Sequence, residues 1–517
     1  MDQAQIAALL NPAVYPAHTG AVQHLQTHIS HLFLTDEEVY KIKKPVDFGF
    51  LDFTTLELRH HFCLEELRLN RRLSPDIYRE VVALRDDGAG GLRFDGAGAV
   101  RDYAVRMRRM PAERMMSRLL DEGRVTAEEI DQIAARVASF HAAAACDERI
   151  AAFGSPAALR SNWEENLRQT EPYRGRTLSA ADHRLIGAWA LQLLDACTAL
   201  FAARQQGGFI RECDGDLHSE NICLDGQVHI FDCIEFSERF RMSDTAADVA
   251  FLAMDLEQHG RRDLAERFVE RYQASSGDTG LCELLPFYLV NRAFIRGKVE
   301  SFRLDDPLIP EEERQAAARR ARRFFRLARG YILRQRLAPT LLITSGASGC
   351  GKSVLARELA FELGLAYFNS DSERKQLAGI APTERGAAIY DADWNRATYD
   401  RLLLLAAAEL AAGRSVVLDA TWRRREERQR CAALAADQGA RLVIMAPLCP
   451  PELVQQRLLQ RQEADCDSSD GTWQIYLSQA AQLDPPQSDE GCLVMPDARL
   501  APEQMVEQVL QRLGLSV

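Results

Sequence analysis

Lysine is scarce in this chain. Of 63 basic residues, 57 are arginine, and the six lysines are Lys41, Lys43, Lys44, Lys298, Lys352 and Lys375. Against that bias a lysine marks a place where a compact point charge is wanted rather than a planar fork. Long apolar runs are missing too: no stretch of about 18 apolar residues occurs, so no spanning helix and no membrane partner are expected. The opening MDQAQIAALLNPAVYP has no basic region before its short apolar stretch, and no secretory signal is expected. The 12 cysteines form no CxxC pair. Cys213, Cys223 and Cys233 fall beside or within apolar strand-like runs, where cysteine acts as a small buried hydrophobe, and a reducing cytoplasm is the expected compartment. A net charge of −12 excludes a general nucleic-acid coat.

What is there is a chain of 517 residues, 47% apolar and 27% charged, enough for two or three soluble domains. Residues 22–46 alternate in strand fashion and close at Pro45, and LELRHHFCLEELRLNRRL then carries Leu58, Phe62, Leu69 and Leu73 at helical steps. VVALRDD and DYAVRMRRM read as further strands. From about 112 to 205 the pattern is helical, FIRECDGDLHSENICLDGQVHIFDCIEF returns to strand and loop, and helices resume from 244 to 336. The arginine-rich EEERQAAARRARRFFRLARGYILRQRLAP reads as a solvated helix at the join between domains. After Pro339, βα alternation sets in: TLLITSG, LAYFNSD, SVVLDAT and RLVIMAP, each followed by helix, predict a doubly wound parallel sheet. The expected boundaries are 1–337, with a small lobe at about 20–110 and a helical lobe at 111–337, and then 338–517.

GASGCGKS fits G-x-x-x-x-G-K-[ST] with Gly346, Gly351, Lys352 and Ser353, between an apolar strand and a helix. Backbone N–H groups of such a loop, here including Ser348, Gly349 and Cys350, turn inward on phosphate oxygens at a positive helix end. Lys352 is expected on the β- and γ-phosphates and Ser353 on Mg²⁺. Asp371 ends the next strand, where a carboxylate can take a hydroxyl proton, and Arg374 is placed to steady the acceptor. Asp419 ends the strand after, in position to support the metal. Arg457 and Arg461, four apart, share a helical face that can close over the transferring phosphate. In these motifs, residues 339–515 resemble the P-loop kinases of small molecules and polynucleotides, the group of zeta toxins, gluconate kinases and polynucleotide kinase. The resemblance implies Asp371 as general base, Arg374 in an Asp-x-x-Arg pair like that of polynucleotide kinase, and a lid holding Arg457, Arg461 and the loop SSDGTW (468–473).

In DGDLHSEN, Asp216 and Asn221 stand five apart, the spacing that lets an aspartate reach a substrate hydroxyl while an asparagine reaches metal. Asp232 in VHIFDCIEF takes the place of a metal-binding aspartate. Alternation puts Val39, Lys41 and Lys43 on one strand face; Lys41 best fits a phosphate-pairing lysine, Lys43 is the reserve, and the helix partner is Glu65 or Glu66. Together these residues make 20–335 resemble the aminoglycoside phosphotransferase and choline kinase family of the protein-kinase-like fold. That family's H-G-D-x-H-x-x-N becomes Asp214-Gly215-Asp216-Leu217-His218-Ser219-Glu220-Asn221 here, with Asp214 where histidine is expected. His218 and His141 read as satisfied structural histidines.

The expectation is therefore a bilobal kinase-like domain followed by a P-loop kinase domain, using ATP and Mg²⁺ to phosphorylate hydroxyls. Sugars, aminoglycoside-like compounds or nucleosides are the expected acceptors of the first domain; nucleic acid enters as an acceptor only for the second. The alternative is a polynucleotide or nucleotide-sugar kinase, repair- or toxin-like, whose first domain is a regulatory or binding pseudokinase.

Overall fold

Strand alternation in the first hundred residues builds a six-stranded antiparallel sheet from β1 (Gln23–Gln26), β2 (Ser30–Leu34), β3 (Glu38–Lys43), β4 (Tyr78–Asp86), β5 (Leu92–Phe94) and β6 (Val100–Arg108), in the order β1-β2-β3-β6-β4-β5. The computed structural model describes residues 1–49, 51–87, 91–94, 96–307, 309–380, 389, 391–464 and 472–516, with no side chains described at 461–464. β3 is central, flanked by β2 and β6, with Lys41 opposite Leu32 and Val105. Both of its faces are covered. Tyr40 and Ile42 pack with Phe33, Leu84 and Phe94 beneath Leu9, Val14 and Tyr15 from the chain's first residues. Val39, on the lysine face, packs with Cys63 of the helix Leu56–Asn70.

That helix begins at Thr55, whose hydroxyl accepts from the Leu58 N–H. Its inward stripe agrees with the sequence reading at Leu69 and Leu73 and departs from it at Leu58 and Phe62. Arg59, Cys63, Glu66, Leu69 and Asn70 are buried, whereas Phe62 is half-buried. Hydrophobicity points one residue round from the true face because the buried positions are polar and paired: Arg59 Nε donates to Asp102 Oδ1 at 2.9 Å, and Asn70 Nδ2 to the Glu66 carbonyl at 2.9 Å.

A helical lobe follows, with two short antiparallel pairs set into it. β7 (Ile210–Glu212) pairs with β10 (Met242–Asp244), and β8 (Ile222–Leu224) with β9 (Val228–Ile230). The loop from Cys213 to Asn221 lies between β7 and β8, and Asp232 follows β9. Beneath them the helix Thr245–Gln258 is buried along nearly its whole length.

The βα pattern after Pro339 folds as predicted into a parallel sheet of β11 (Thr340–Thr344), β12 (Ala366–Asn369), β13 (Val416–Asp419), β14 (Arg441–Met445) and β15 (Cys492–Val494), in the order β12-β13-β11-β14-β15. Alternation splits its residues between two cores. Leu342, Val417 and Val443 pack with Leu355 and Leu359 of the helix Lys352–Leu363 and with Val509 of the helix Pro502–Leu513. Leu341, Ile343 and Leu418 pack with Leu402 and Ala406 of the helix Ala392–Ala411.

The described chain divides into two compact units, Met1–Pro172 with Gly187–Lys298, and Tyr173–Ile186 with Val299–Val517. The helix Glu311–Arg334 belongs to the second and is not solvated as its composition suggests. Ala321, Phe325, Ala328, Ile332 and Leu333 are fully buried. Its arginines are paired: Arg326 Nη2 lies 2.8 Å from Glu362 Oε2, Arg329 bonds the other Glu362 oxygen, and Arg329 Nη1 reaches Glu507 at 3.0 Å and Asp182 at 3.3 Å. Long arginine stems cover apolar surface while their heads meet carboxylates, so composition alone misreads such a helix. Among the described residues, no single helix is long and apolar enough to cross a membrane.

Candidate active sites

The first site is built on the lysine face of β3. Lys41 Nζ stands 2.8 Å from Glu66 Oε1 and 2.5 Å from Asp232 Oδ1. Lys43 Nζ takes the other Glu66 oxygen at 2.7 Å, bonds Glu235 Oε1, and lies 4.8 Å from the centre of the Phe53 ring. Burial opposes ionisation of Glu66, yet Lys41 and Lys43 together hold its carboxyl well below the usual range. Lys41 is the lysine that reaches Asp232. Lys43 is sealed beneath it, 1% exposed. Of the two candidate helix partners, Glu66 faces inward and Glu65 pairs with Arg68.

Asp232 holds φ 67°, the left-handed region that costs a non-glycine residue on the order of 1–3 kcal/mol. Its N–H donates to Tyr78 Oη at 3.1 Å, and its neighbour Cys233 N–H to Asn70 Oδ1 at 2.8 Å. These bonds fix the turn and leave the Asp232 side chain 45% exposed. Asn221 Nδ2 donates to the Asp216 carbonyl at 3.1 Å and to Asp216 Oδ2 at 3.3 Å, so its amide oxygen is the atom left for a cation. His218 is more than the structural histidine expected: its Nε2 stands 3.3 Å from Asp216 Oδ2. Burial alone would raise the Asp216 carboxyl, but His218, with Arg296 and Arg292, holds it below the usual value. The sequence signal for His218 was its place in the family motif; nothing flagged Arg292, Arg296 or Glu235.

Asp214 explains how the loop is held without the expected histidine. Its N–H and that of Gly215 donate to the two oxygens of Asp248, at 2.8 and 3.0 Å, and its Oδ1 accepts from the Asp216 N–H at 3.1 Å. Asp248 in turn meets His141 Nε2 at 3.2 Å, and His141 Nδ1 meets Tyr272 Oη at 2.8 Å. His141, Cys213 and Asp248 converge, but His141 and Asp248 are spent on this scaffold and the Cys213 thiol donates to the Ser243 carbonyl. Asp214 Oδ2 is buried and meets no hydrogen-bond partner among the described residues. Burial, then the Asp248 and Asp216 charges, push the Asp214 carboxyl well up, against the Asp216 N–H and Arg72. A carboxyl raised on folding favours the native state below its unfolded value near 4 and costs stability as pH rises. Asp214→Asn, which cannot ionise, is therefore expected to stabilise the protein at pH 8 by about 1 kcal/mol, about 2–4 °C in melting temperature for a unit of this size. The gain should vanish near pH 4 in thermal melts run across the range.

The second site is the loop after β11. Gly346, Gly349 and Gly351 take φ of 133°, 84° and 89°, open to glycine and strained for other residues. A side chain at Gly349 would come within 2.8 Å of Val454 on the helix Pro451–Ala464. Lys352 Nζ donates to the Ala347 carbonyl at 2.7 Å, inside the loop, and the Ser348 N–H donates to Gln479 Oε1 at 2.7 Å. Cys350 is half-buried in the loop, and Ser353 stands in the first turn of the following helix. Arg457 Nη2 donates to the Ala498 carbonyl at 2.7 Å beside Gly351. The Arg461 side chain and lid residues 468–471 lie outside the described residues.

Asp371 Oδ1 accepts from Arg374 Nη1 at 2.8 Å, and Arg374 Nη2 donates to Asn395 Oδ1 at 3.0 Å. Burial pushes the Asp371 carboxyl up, toward the range of a useful base, although Arg374 and Lys352 act against it. Asp419, expected to support the metal, is held at the end of β13 by a set of donors. It is 1% exposed; Oδ1 accepts from Thr344 Oγ1 at 3.1 Å, and Oδ2 from Tyr367 Oη and Asn369 Nδ2, both at 2.7 Å. With three donors on two oxygens it braces the ends of β11, β12 and β13.

Comparisons with known proteins match both regions of the chain. The Phosphotransferase enzyme family matches residues 58–284, and the AAA domain family matches residues 341–486. An uncharacterized protein of Mycobacterium tuberculosis and one of Mycobacterium bovis are each 31% identical over 463 residues, 88% of this chain and 89% of the relative. Among solved structures, the chain is similar to a choline/ethanolamine kinase family protein from Mesorhizobium loti (13% identity, 62% of this chain and 94% of that one, TM-score 0.38). It is also similar to a gluconokinase from Sinorhizobium meliloti (19% identity, 35% and 94%, TM-score 0.27). With a phosphotransferase region and a P-loop region in one polypeptide, and relatives matched across both, the chain belongs to the family of these mycobacterial proteins and is a kinase.

Proposed function

We propose that both units transfer the γ-phosphate of ATP to hydroxyl groups, each at its own site, on small hydroxylated molecules, in the cytoplasm and without a membrane partner. A 5′-hydroxyl end of nucleic acid is an acceptor open to the second unit alone. The observation that carries the reading is the Lys41–Glu66–Asp232 cluster of the first unit, together with the Asp216–Asn221 loop. It is the charge arrangement that a phosphate-positioning lysine and a metal-holding aspartate require.

In the first site Lys41 would orient the phosphates, and Asp232 with the Asn221 amide oxygen would hold Mg²⁺. The exposure of Asp232 and the inward turn of Asn221 Nδ2 fit that role. When bound, Mg²⁺ neutralises charge developing on the transferring group. Asp216, kept ionised by His218, accepts the acceptor's hydroxyl proton and aims its oxygen. In the second site the loop 346–353 cradles phosphate, Ser353 would hold the metal, Asp371 takes the proton and Arg374 steadies the acceptor.

Separate Asp216→Asn and Lys352→Ala variants of the whole chain test this, with labelled ATP against sugars, nucleosides and 5′-hydroxyl oligonucleotides. Each variant is expected to abolish one set of products and spare the other. Were every product to survive Asp216→Asn, the first unit would be a binding or regulatory module and the two-site reading would fall.

A further inference from the structure

In the second unit, the loop after β11 is packed against two helices, Pro451–Ala464 and Trp473–Ala481. Ala347 of the loop packs with Val454 and Leu458 of the first helix and with Tyr476 of the second. Trp473 stacks on Tyr476 with ring centres 4.9 Å apart. Beyond its other end the second helix is tied down again. The Asp484 N–H donates to the Arg423 carbonyl at 3.0 Å, and Asp484 Oδ2 accepts from the Arg425 N–H at 3.2 Å. The stretch 421–425 also holds the start of the loop, where the Gly346 N–H donates to the Thr421 carbonyl at 3.0 Å. The helix Trp473–Ala481 is thus fixed to the frame of the loop from both sides.

Gln479, on that helix, reaches into the loop: its Oε1 accepts from the Ser348 N–H at 2.7 Å. The Ser348 N–H, assigned to phosphate by the sequence, is engaged there. Because its partner is a donor, the amide must present its oxygen to Ser348 and turn its nitrogen elsewhere. With Oε1 2.7 Å from the Ser348 nitrogen, amide geometry keeps Nε2 within about 5 Å of that atom. Among the described residues Nε2 meets no acceptor, and the side chain is half-buried. An amide that accepts at its oxygen donates more strongly at its nitrogen. The packing around it is apolar, from Ala347, Val454 and Tyr476, so an acceptor for Nε2 has to come from a ligand of the loop. We propose that Gln479 is a nucleotide-binding residue of the second site, which takes over the donor role of Ser348 and gives its Nε2 N–H to the phosphate chain of ATP. The inference rests on the second unit binding ATP through the loop 346–353. Held from both sides of its helix, Gln479 meets the phosphates with little ordering left to do.

The test is calorimetric titration of the full chain with ADP and with a non-hydrolysable ATP analogue, each with Mg²⁺. The binding component that Lys352→Ala removes is the second site. Gln479→Ala is expected to weaken that component about 10-fold and to leave the other unchanged. A loss confined to the ATP analogue assigns the bond to the γ-phosphate, and a loss for both nucleotides assigns it to the β-phosphate. Gln479→Glu separates donation from scaffolding, because a carboxylate keeps an acceptor for Ser348 and loses both donors. It should weaken binding more than alanine does. Parental or tighter affinity in Gln479→Ala would mean that the amide competes with phosphate for the loop. Parental affinity in Gln479→Glu would mean that it serves only to cap Ser348. Either result overturns the role of Gln479 while the ATP reading stands. If Lys352→Ala removes no binding component, the ATP reading of the second site falls and the role of Gln479 falls with it.

Discussion

Lys43→Met is expected to destabilise the first unit by about 3–5 kcal/mol, the cost of stranding buried charge when one partner of an ion pair is removed. Lys43 and Glu66 are essentially inaccessible and Glu235 nearly so, and the lysine ties both carboxylates. Without it, Glu66 keeps Lys41 as partner, but Glu235 is left buried, repelled by the Glu66 carboxylate and drawn only by Lys41. Burial already pushes the Glu235 carboxyl up, with Lys43 as the main force against it. The sign follows: a carboxyl raised on folding is tolerated while protonated and costs stability as pH rises, so the deficit of the variant should grow from pH 5 to pH 8. Urea unfolding at several pH values checks this, and a Lys43→Met/Glu235→Gln double variant should recover much of the loss. An equal loss at every pH, with no recovery in the double variant, would mean that Lys43 contributes packing and not charge.

Gly330→Ala is expected to reverse the usual rule for helices. Inside a helix, alanine normally gains about 0.5–1 kcal/mol over glycine. At Gly330 a Cβ would lie 1.5 Å from the Glu362 carbonyl oxygen and 2.7 Å from its carbon, both backbone atoms of the helix Lys352–Leu363. No side-chain rotation relieves that contact. The helices must part, opening the ion pairs of Arg326 and Arg329 with Glu362 and shifting the helix that begins at Lys352. A loss of about 1–3 kcal/mol or more is expected, together with weaker nucleotide binding at the second site. Thermal melts and nucleotide titration read the two effects; a rise in melting temperature would show that the helices separate freely.

The parts of this molecule that were legible in sequence are those whose chemistry dictates a spacing. GASGCGKS is readable because a backbone cradle needs glycines at set places, and Lys41 because strand alternation assigns it a face. Asp216 and Asn221 are readable for the same reason. What escaped is paired polarity under cover. Glu235 sits in no periodic pattern and matters only through Lys43. Arg59, Glu66 and Asn70 turn a helix face inward that hydrophobicity assigns elsewhere. Asp419 is legible as a carboxylate at a strand end, but its partners Thr344, Tyr367 and Asn369 are not. The arginines of the helix Glu311–Arg334 suggest solvent until Glu358 and Glu362 are seen against them. In each case the deciding partner is distant in sequence.

The order of synthesis follows from the interleaving of the two units. Residues 173–186 of the second unit leave the ribosome before residues 187–298, which complete the first. At translation rates of about 5–20 residues per second, that early strand of chain waits for its partners while the intervening stretch is made. No contiguous stretch of the gene encodes either unit alone, so a cut at any one point in the reading frame cannot release both units intact. The two units are joined by the path of the polypeptide, and are made as one chain.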